Sequence, residues 1–218
     1  MARQANLDVA ARLRRDILHG HYAPGERLVE LQLAERYGAG RAAIRAALVE
    51  LATEGLIDKE TNRGATVRRI SVDEAIEITE ARAVLESLIA SAAARRASAD
   101  ERAELMQLEA DMRDAVAVER YLDYSELNSV LHRRIREISQ HAVAGDLVAM
   151  LRNRNARHQY SLALMPGRPS ESLEQHAAII RAIVRGDEAG AAAAMTSHLL
   201  SVIDVLRHWD ADRSGVPS

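Results

Sequence analysis

The stretch RAAIRAALVELATEGL, residues Arg41–Leu56, has the pattern of one amphipathic helix with a defined end. Its larger apolar residues recur at helical spacing and predict a stripe that faces a core: Ile44, Leu48 and Leu51. Gly55 is the residue type expected just beyond a helix C-terminus, where a left-handed backbone is needed. We therefore predict a helix from residue 41 to about residue 54.

The segments on either side predict a small domain around this helix. Upstream, we predict helices at about residues 7–19 and 30–37, separated by the turn Tyr22–Gly25 and followed by the break Gly38-Ala39-Gly40. Downstream, residues 56–59 and 65–68 read as two short strands around an Asn-Arg-Gly turn. Three helices and a β-hairpin predict a winged helix-turn-helix over residues 1–70.

Everything from residue 71 onward has helical patterning. We predict six helices, at about residues 71–96, 98–116, 121–139, 142–164, 171–185 and 187–208. Capping boxes begin at Ser71 and Ser98, Asp187 can cap the last helix, and Met165–Ser170 is the clearest loop. The predicted fold class is mainly α, with the winged helix-turn-helix followed by an all-α bundle over residues 71–218.

The composition excludes some classes of protein. The chain has 218 residues and 48% hydrophobic residues, which is ample for a core, but no Phe and no Cys, so disulfides and thiolate metal sites are excluded. We expect neither a signal peptide nor an apolar run of about 18 residues, which predicts a cytoplasmic protein with no membrane partner. Residues 1–70 hold 12 basic against 9 acidic residues, whereas the rest of the chain has an acidic excess. This asymmetry is a small hint of a nucleic-acid module in front.

The candidate DNA-binding residues lie on the second helix of the helix-turn-helix and in the wing. Arg41 and Arg45 are four residues apart, so both can face the major groove, where arginine binds guanine O6 and N7 or a phosphate. At the wing tip, Arg63 offers a guanidinium beside Gly64, which permits close approach of the backbone. One such arginine would be ordinary solvated charge, but the three together favour DNA contact.

These residues lie in a frame that resembles a known family. The segment Gly25–Ile57, followed by NRGATV, resembles the winged-helix domain of GntR-family transcription regulators, with the frame RxxxRxALxxLxxEGL at Arg41–Leu56. Family members commonly have Ser or Thr where this chain has Gly40, and Thr-Pro and Glu where it has alanines. The two arginines remain, so the resemblance implies a DNA-binding regulator with altered operator affinity or preference.

Three of the eight histidines fall in a second recognisable pattern. The run RxxLE at Arg82, the run NxxxH at Asn128 and the frame HxxIxxAIxxGDxxxAxxxMxxH from His176 to His198 resemble the FCD effector-binding domain of FadR-like GntR regulators. In many such domains an Asp or Asn and three His bind a divalent metal, and a carboxylate effector occupies open coordination positions. The resemblance implies the ligand set Asn128, His132, His176 and His198. The other five histidines are expected to be hydrogen-bonded or exposed side chains.

Asn128 in place of an aspartate has a physical consequence. Its neutral amide oxygen is a weaker ligand for a cation, so metal affinity should fall and attraction for an anionic effector should rise. Three imidazoles suit zinc, nickel or similar late metals. We expect Arg82 and Asn128 to bind the effector, Arg82 through its fork, although an ion pair with Glu86 is the alternative role for Arg82.

The sequence as a whole predicts a ligand-responsive repressor that binds double-stranded DNA at a palindromic operator as a homodimer and senses a small organic acid at a metal site. One alternative is the same regulator with a metal-free effector pocket. The other, a metal-dependent enzyme at the histidines, is disfavoured because it lacks an HExxH motif and a suitably placed general base.

Overall fold

The computed structural model describes residues 2–18, 20–60, 64–154, 165 and 167–214, with backbone only at 2–8, 60 and 209–214. The chain divides into two compact units. One is formed mainly by residues up to Ser71, with residues from Arg152 at the end of a later helix, and the other mainly by residues from Val72 onward.

The first unit is a winged helix-turn-helix, as predicted. Its elements are α1 (Ala2–Leu18), β1 (Arg27–Leu28), α2 (Glu30–Tyr37), α3 (Arg41–Thr53), β2 (Ile57–Glu60) and β3 (Gly64–Val67). The sheet is antiparallel in the order β1-β3-β2, with Ile57 opposite Val67. The strand β1 was not predicted, because two residues cannot show the alternation by which a strand is recognised.

The end of α3 explains how the chain turns from this helix into the wing. Gly55 has φ +76°, its N–H donates to the Ala52 carbonyl, and the Leu56 N–H donates to the Leu51 carbonyl at 3.0 Å. This pair of bonds is a Schellman motif, and it requires the left-handed conformation that glycine adopts readily. It directs Leu56 back into the core, and Ile57 begins β2 at once.

The second unit contains six described helices, in agreement with the predicted bundle. They are α4 (Val72–Arg96), α5 (Ala99–Ala117), α6 (Tyr121–Ser139), α7 (Ala142–Arg154), α8 (Arg168–Val184) and α9 (Glu188–Ser214). The part of the fourth predicted helix beyond residue 154 lies largely outside the described residues. The helix α8 begins three residues earlier than predicted, with Gly167 as N-cap and Pro169 in the first turn, where a missing N–H costs little.

The helix caps predicted at two boundaries are present. Ser98 Oγ accepts from the Glu101 N–H at 3.2 Å, and Glu101 Oε2 accepts from the Ser98 N–H at 2.9 Å, which is a capping box. Asp187 Oδ1 accepts from the Gly190 N–H at 2.8 Å at the start of α9. These caps satisfy N–H groups that have no partner within their own helices.

The bundle core is built from aliphatic side chains and alanines, as the composition requires. The helices α4 and α9 pack together most extensively, and Ala90, Ala93 and Ala94 on α4 are completely buried, which allows close approach. Residues 188–208 of α9 are long and apolar enough to cross a membrane by length and composition alone, with mean hydropathy 1.4. The expected absence of such a stretch was therefore wrong, because its Leu, Val, Ile and Ala residues outweigh the few charged residues there. Ala191, Met195 and Leu199 of this stretch lie in the core.

Candidate functional site

Three histidines from three helices meet inside the bundle. His132 lies on α6, His176 on α8 and His198 on α9, and their side chains are 2%, 0% and 4% exposed respectively. One ring nitrogen of each lies within 4.8 Å of the others, and the ring centroids are 4.4 to 5.6 Å apart. Imidazole nitrogens at such separations can bind one divalent cation in common.

Each of these imidazoles is oriented by a side chain from a different helix. His132 Nδ1 lies 2.7 Å from Glu86 Oε2. His176 Nδ1 lies 3.1 Å from Tyr124 Oη, and His198 Nδ1 lies 2.9 Å from Gln175 Oε1. Carboxylate and amide oxygens are acceptors, so His132 and His198 donate through Nδ1–H, and in the neutral ring this leaves the lone pair on Nε2. Metal-binding histidines have this second hydrogen bond almost without exception.

The electrostatics of the cluster favour the neutral imidazole at His198. The pKa of His198 is held well below its ordinary value, chiefly by burial and then by the neighbouring His176, His132 and Arg168. Neutral imidazole is the form that ligates a metal. His198 therefore needs to lose no proton to act as a ligand near neutral pH.

Asn128, the fourth predicted ligand, has a buried amide oxygen. It lies one helical turn before His132 on α6, and its Oδ1 is buried with no hydrogen-bond donor among the described residues. A buried carbonyl without a donor costs about 1–3 kcal/mol, and a cation would remove that cost. Three imidazoles and one amide oxygen fit a late divalent metal ion.

Arg82 is found in the ion pair considered as its alternative role. Its Nε and Nη2 atoms both lie 2.8 Å from Glu86 Oε1, and both residues are almost completely buried. Glu86 therefore joins Arg82 to His132. The sequence identified Glu86 only as a possible partner of Arg82 and did not predict its contact with the histidine.

Other residues around the histidine cluster were missed, because no motif marks them. Tyr124 and Gln175 orient histidines from positions that read as ordinary helix residues. Arg168 was placed in a loop, but it lies in the first turn of α8, is 6% exposed and donates to Ser201 Oγ at 2.7 Å. Its Nη2 is buried with no acceptor among the described residues.

The candidate DNA-binding residues lie in the first unit. Arg41 and Arg45 are exposed on the first two turns of α3, and Arg45 Nε donates to Glu30 Oε2 at 2.8 Å. Gly40 caps α3 without a side-chain hydrogen bond, as its lack of a hydroxyl implies. Gly64 begins β3 with φ +92°, while Arg63 lies outside the described residues. A groove beside α3 is lined by further basic residues that the sequence did not single out: Arg27 and Lys59.

Comparisons with known proteins match both units. Residues 5–67 match the family model of bacterial regulatory proteins, gntR family, and residues 77–201 match the FCD domain. The HTH-type transcriptional repressor RspR of Escherichia coli K12 is 29% identical over 202 residues, covering 93% of this chain and 89% of RspR. The HTH-type transcriptional repressor GlaR of the same organism is 27% identical, covering 93% of this chain and 96% of GlaR.

Solved structures show the same fold. E. coli McbR/YncC has a TM-score of 0.79 at 21% identity, covering 94% of this chain and 98% of that one. A putative GntR regulator from Rhodococcus sp. RHA1 has a TM-score of 0.72 at 20% identity, with 93% and 97% covered. This chain belongs to the GntR family of DNA-binding regulators and carries an FCD domain, and that family is one of transcription regulators and not of enzymes.

Proposed function

We propose that this chain is a cytoplasmic repressor that senses a small carboxylate at a divalent metal site and binds a palindromic operator as a homodimer. In this proposal residues 1–70 bind DNA, and residues 71–218 bind the effector and form the dimer. The observation that carries it is the buried histidine cluster, in which every Nδ1 atom is already engaged by a side chain from another helix.

The proposed metal ligands are Asn128, His132, His176 and His198. Zinc and nickel suit them best, because imidazole ligands favour late transition metals over magnesium or calcium. The buried Asn128 oxygen without a donor supports its inclusion. Since none of the four ligands is a carboxylate, the bound ion would keep its full double charge and attract an anion.

The proposed effector is an organic acid that reaches the same pocket. Arg82 and Asn128 are the residues proposed from the sequence to bind it. The Arg82 guanidinium also pairs with Glu86, which limits how much of its fork can turn to a ligand. A metal-free pocket, in which the histidines bond the acid directly, is the alternative that the experiment below separates.

Operator binding is proposed to use Arg41, Arg45, Arg63 and Gly64. Two copies of α3, one from each protomer, would enter successive major grooves, and this requires half-sites at a fixed spacing. Repression is supported by the printed names of RspR and GlaR, which are both called repressors.

The histidine contacts suggest how an effector could alter that spacing. Gln175 on α8 contacts His198 on α9, and Tyr124 on α6 contacts His176 on α8. Glu86 on α4 contacts His132 on α6. A ligand at the centre of this chain of contacts would therefore act on four helices. The first of them, α4, starts at Val72, directly after the winged-helix unit in the sequence. A coupling of about 1–3 kcal/mol between effector and operator is typical of such switches.

Metal analysis of the purified protein, combined with thermal-shift and operator-binding assays, tests the proposal. We expect about one zinc or nickel ion per chain, a raised Tm with one of a series of small carboxylates, and a changed operator affinity. His132→Ala and His176→Ala should abolish the metal and the carboxylate response, whereas His208→Ala, at an exposed position, should retain both. Carboxylate binding without metal would support the alternative, and unchanged metal content in both cluster variants would refute the site.

A further inference from the structure

Arg168 is a buried cation whose hydrogen bonding is incomplete. Its Nη1 donates to Ser201 Oγ at 2.7 Å and lies 3.2 Å from Glu171 Oε1, yet its Nη2 has no acceptor among the described residues. A buried donor left without an acceptor costs about 1–3 kcal/mol, and more when it is charged. Such an atom is where a ligand oxygen is expected.

The charge of Arg168 is poorly compensated within the described part of the bundle. Its carboxylate partner Glu171 is 56% exposed, and the same Glu171 Oε1 also accepts from Ser201 and from Gln175. In addition, Arg168 stands in the first turn of α8, where the helix dipole is positive and disfavours a cation.

A count of the buried charges leads to the same conclusion. Three Arg, Lys, Asp or Glu side chains of the described residues are buried: Arg82, Arg168 and Glu86. Glu86 is committed to Arg82 at 2.8 Å. Among these buried side chains Arg168 is one positive charge in excess, and its carboxylate partner Glu171 lies largely at the surface.

Hydrogen bonds connect Arg168 to the histidine cluster. Ser201 Oγ, which accepts from Arg168, also accepts from Gln175 Nε2 at 3.0 Å, and Gln175 Oε1 accepts from His198 Nδ1 at 2.9 Å. Two intervening side chains, Ser201 and Gln175, therefore link Arg168 to His198 by hydrogen bonds.

We infer that Arg168 binds the effector, with its Nη2 donating a charge-assisted hydrogen bond to an anionic oxygen of the organic acid. The inference rests on the proposed function, since it assumes that an acid enters this pocket, but it assigns the recognition of negative charge to a residue outside the motifs. Arg168 differs from Arg82 in having a buried donor with no acceptor among the described residues. It thereby selects anions over neutral molecules of the same shape.

The test is to titrate the metal-loaded full-length protein with acetate, lactate and succinate, and with neutral acetamide as control. Arg168→Gln removes the charge, Arg168→Lys keeps it without the fork, and Arg181→Gln removes an exposed arginine from the same helix. Metal content and circular dichroism of each variant report whether the centre and the fold are intact.

We expect wild type to bind at least one acid and not acetamide. Arg168→Gln should lower the affinity for that acid about 10- to 100-fold at unchanged metal content, since a charge-assisted bond is lost. The acid affinity of Arg168→Lys should lie between those of wild type and Arg168→Gln, and that of Arg181→Gln should equal that of wild type. Equal acid affinity in wild type and Arg168→Gln overturns the inference and leaves the proposed function standing. A metal-free wild type whose acid response depends on Arg168 supports the inference and refutes the metal site. No response of wild type to any of the acids overturns the inference even if metal is bound.

Discussion

Replacing Glu86 with Gln should destabilise the bundle and weaken the metal site together. Glu86 is 1% exposed and lies 2.8 Å from Arg82 and 2.7 Å from His132 Nδ1. Glutamine can still accept from His132 but carries no charge, so it leaves the Arg82 guanidinium buried without compensation. Removal of one partner of a buried ion pair costs about 3–5 kcal/mol. For a chain of this size, each kcal/mol lowers the Tm by about 2–4 °C, which gives a loss of about 6–20 °C.

The same substitution should reduce metal affinity about 10- to 100-fold, because a carboxylate behind a ligating histidine makes it a better donor. Urea unfolding of the metal-free protein measures the first effect, and competition with a zinc chelator measures the second. Glu80→Gln is the matched control on α4, since its side chain is 56% exposed and 4.0 Å from Arg207, and it should change stability by less than about 0.5 kcal/mol.

A double variant separates charge compensation from simple loss of packing. With Arg82→Gln added to Glu86→Gln, no buried charge is left alone, so the double variant should lose clearly less stability than the sum of the two single variants. Strict additivity, or a loss below about 1 kcal/mol for Glu86→Gln alone, would refute the reasoning that Glu86 neutralises Arg82.

Three further predictions concern other parts of the molecule. Asn128→Asp should raise zinc affinity and lower acid affinity, because it adds a negative ligand to the pocket; chelator competition and calorimetric titration of the acid measure the two effects. Glu30→Gln should tighten operator binding a few-fold at low salt by releasing Arg45, whereas Arg45→Ala should weaken it about 10- to 100-fold, as measured by fluorescence anisotropy. Met112→Ala should lower the free energy of unfolding in urea by about 2–5 kcal/mol, because Met112 on α5 is completely buried in the bundle core. Met106→Ala on the same helix should lower it by less than about 0.5 kcal/mol, because Met106 is exposed.

Much of the fold could be predicted because its signals are local. The helical period of Ile44, Leu48 and Leu51, the glycine at 55 and the capping box at Ser98 each act within a few residues, and the structure shows all of them. The features that were not predicted have only weak signals in the sequence. The strand β1 is only two residues long, and α8 starts inside a segment whose Pro and Gly predicted a loop, although proline is favourable in a first helical turn.

The candidate site was only partly predictable, for a different physical reason. Imidazole is itself a metal ligand, so a pattern of residue types in the sequence could identify three candidates: His132, His176 and His198. Glu86, Gln175 and Arg168 owe their roles to what lies opposite them on other helices, and one sequence contains no statement of which helices touch. Arg168 is the sharpest case, because as a loop residue it would be a solvated charge of no consequence. Arg168 is buried at the start of α8, and one of its donors lacks an acceptor among the described residues. Its carboxylate partner Glu171 is mostly exposed and compensates its charge only in part. A site assembled in this way should therefore depend on its ligand for part of its stability. Replacing Arg168 should reduce the acid-dependent rise in Tm even where all three histidines remain.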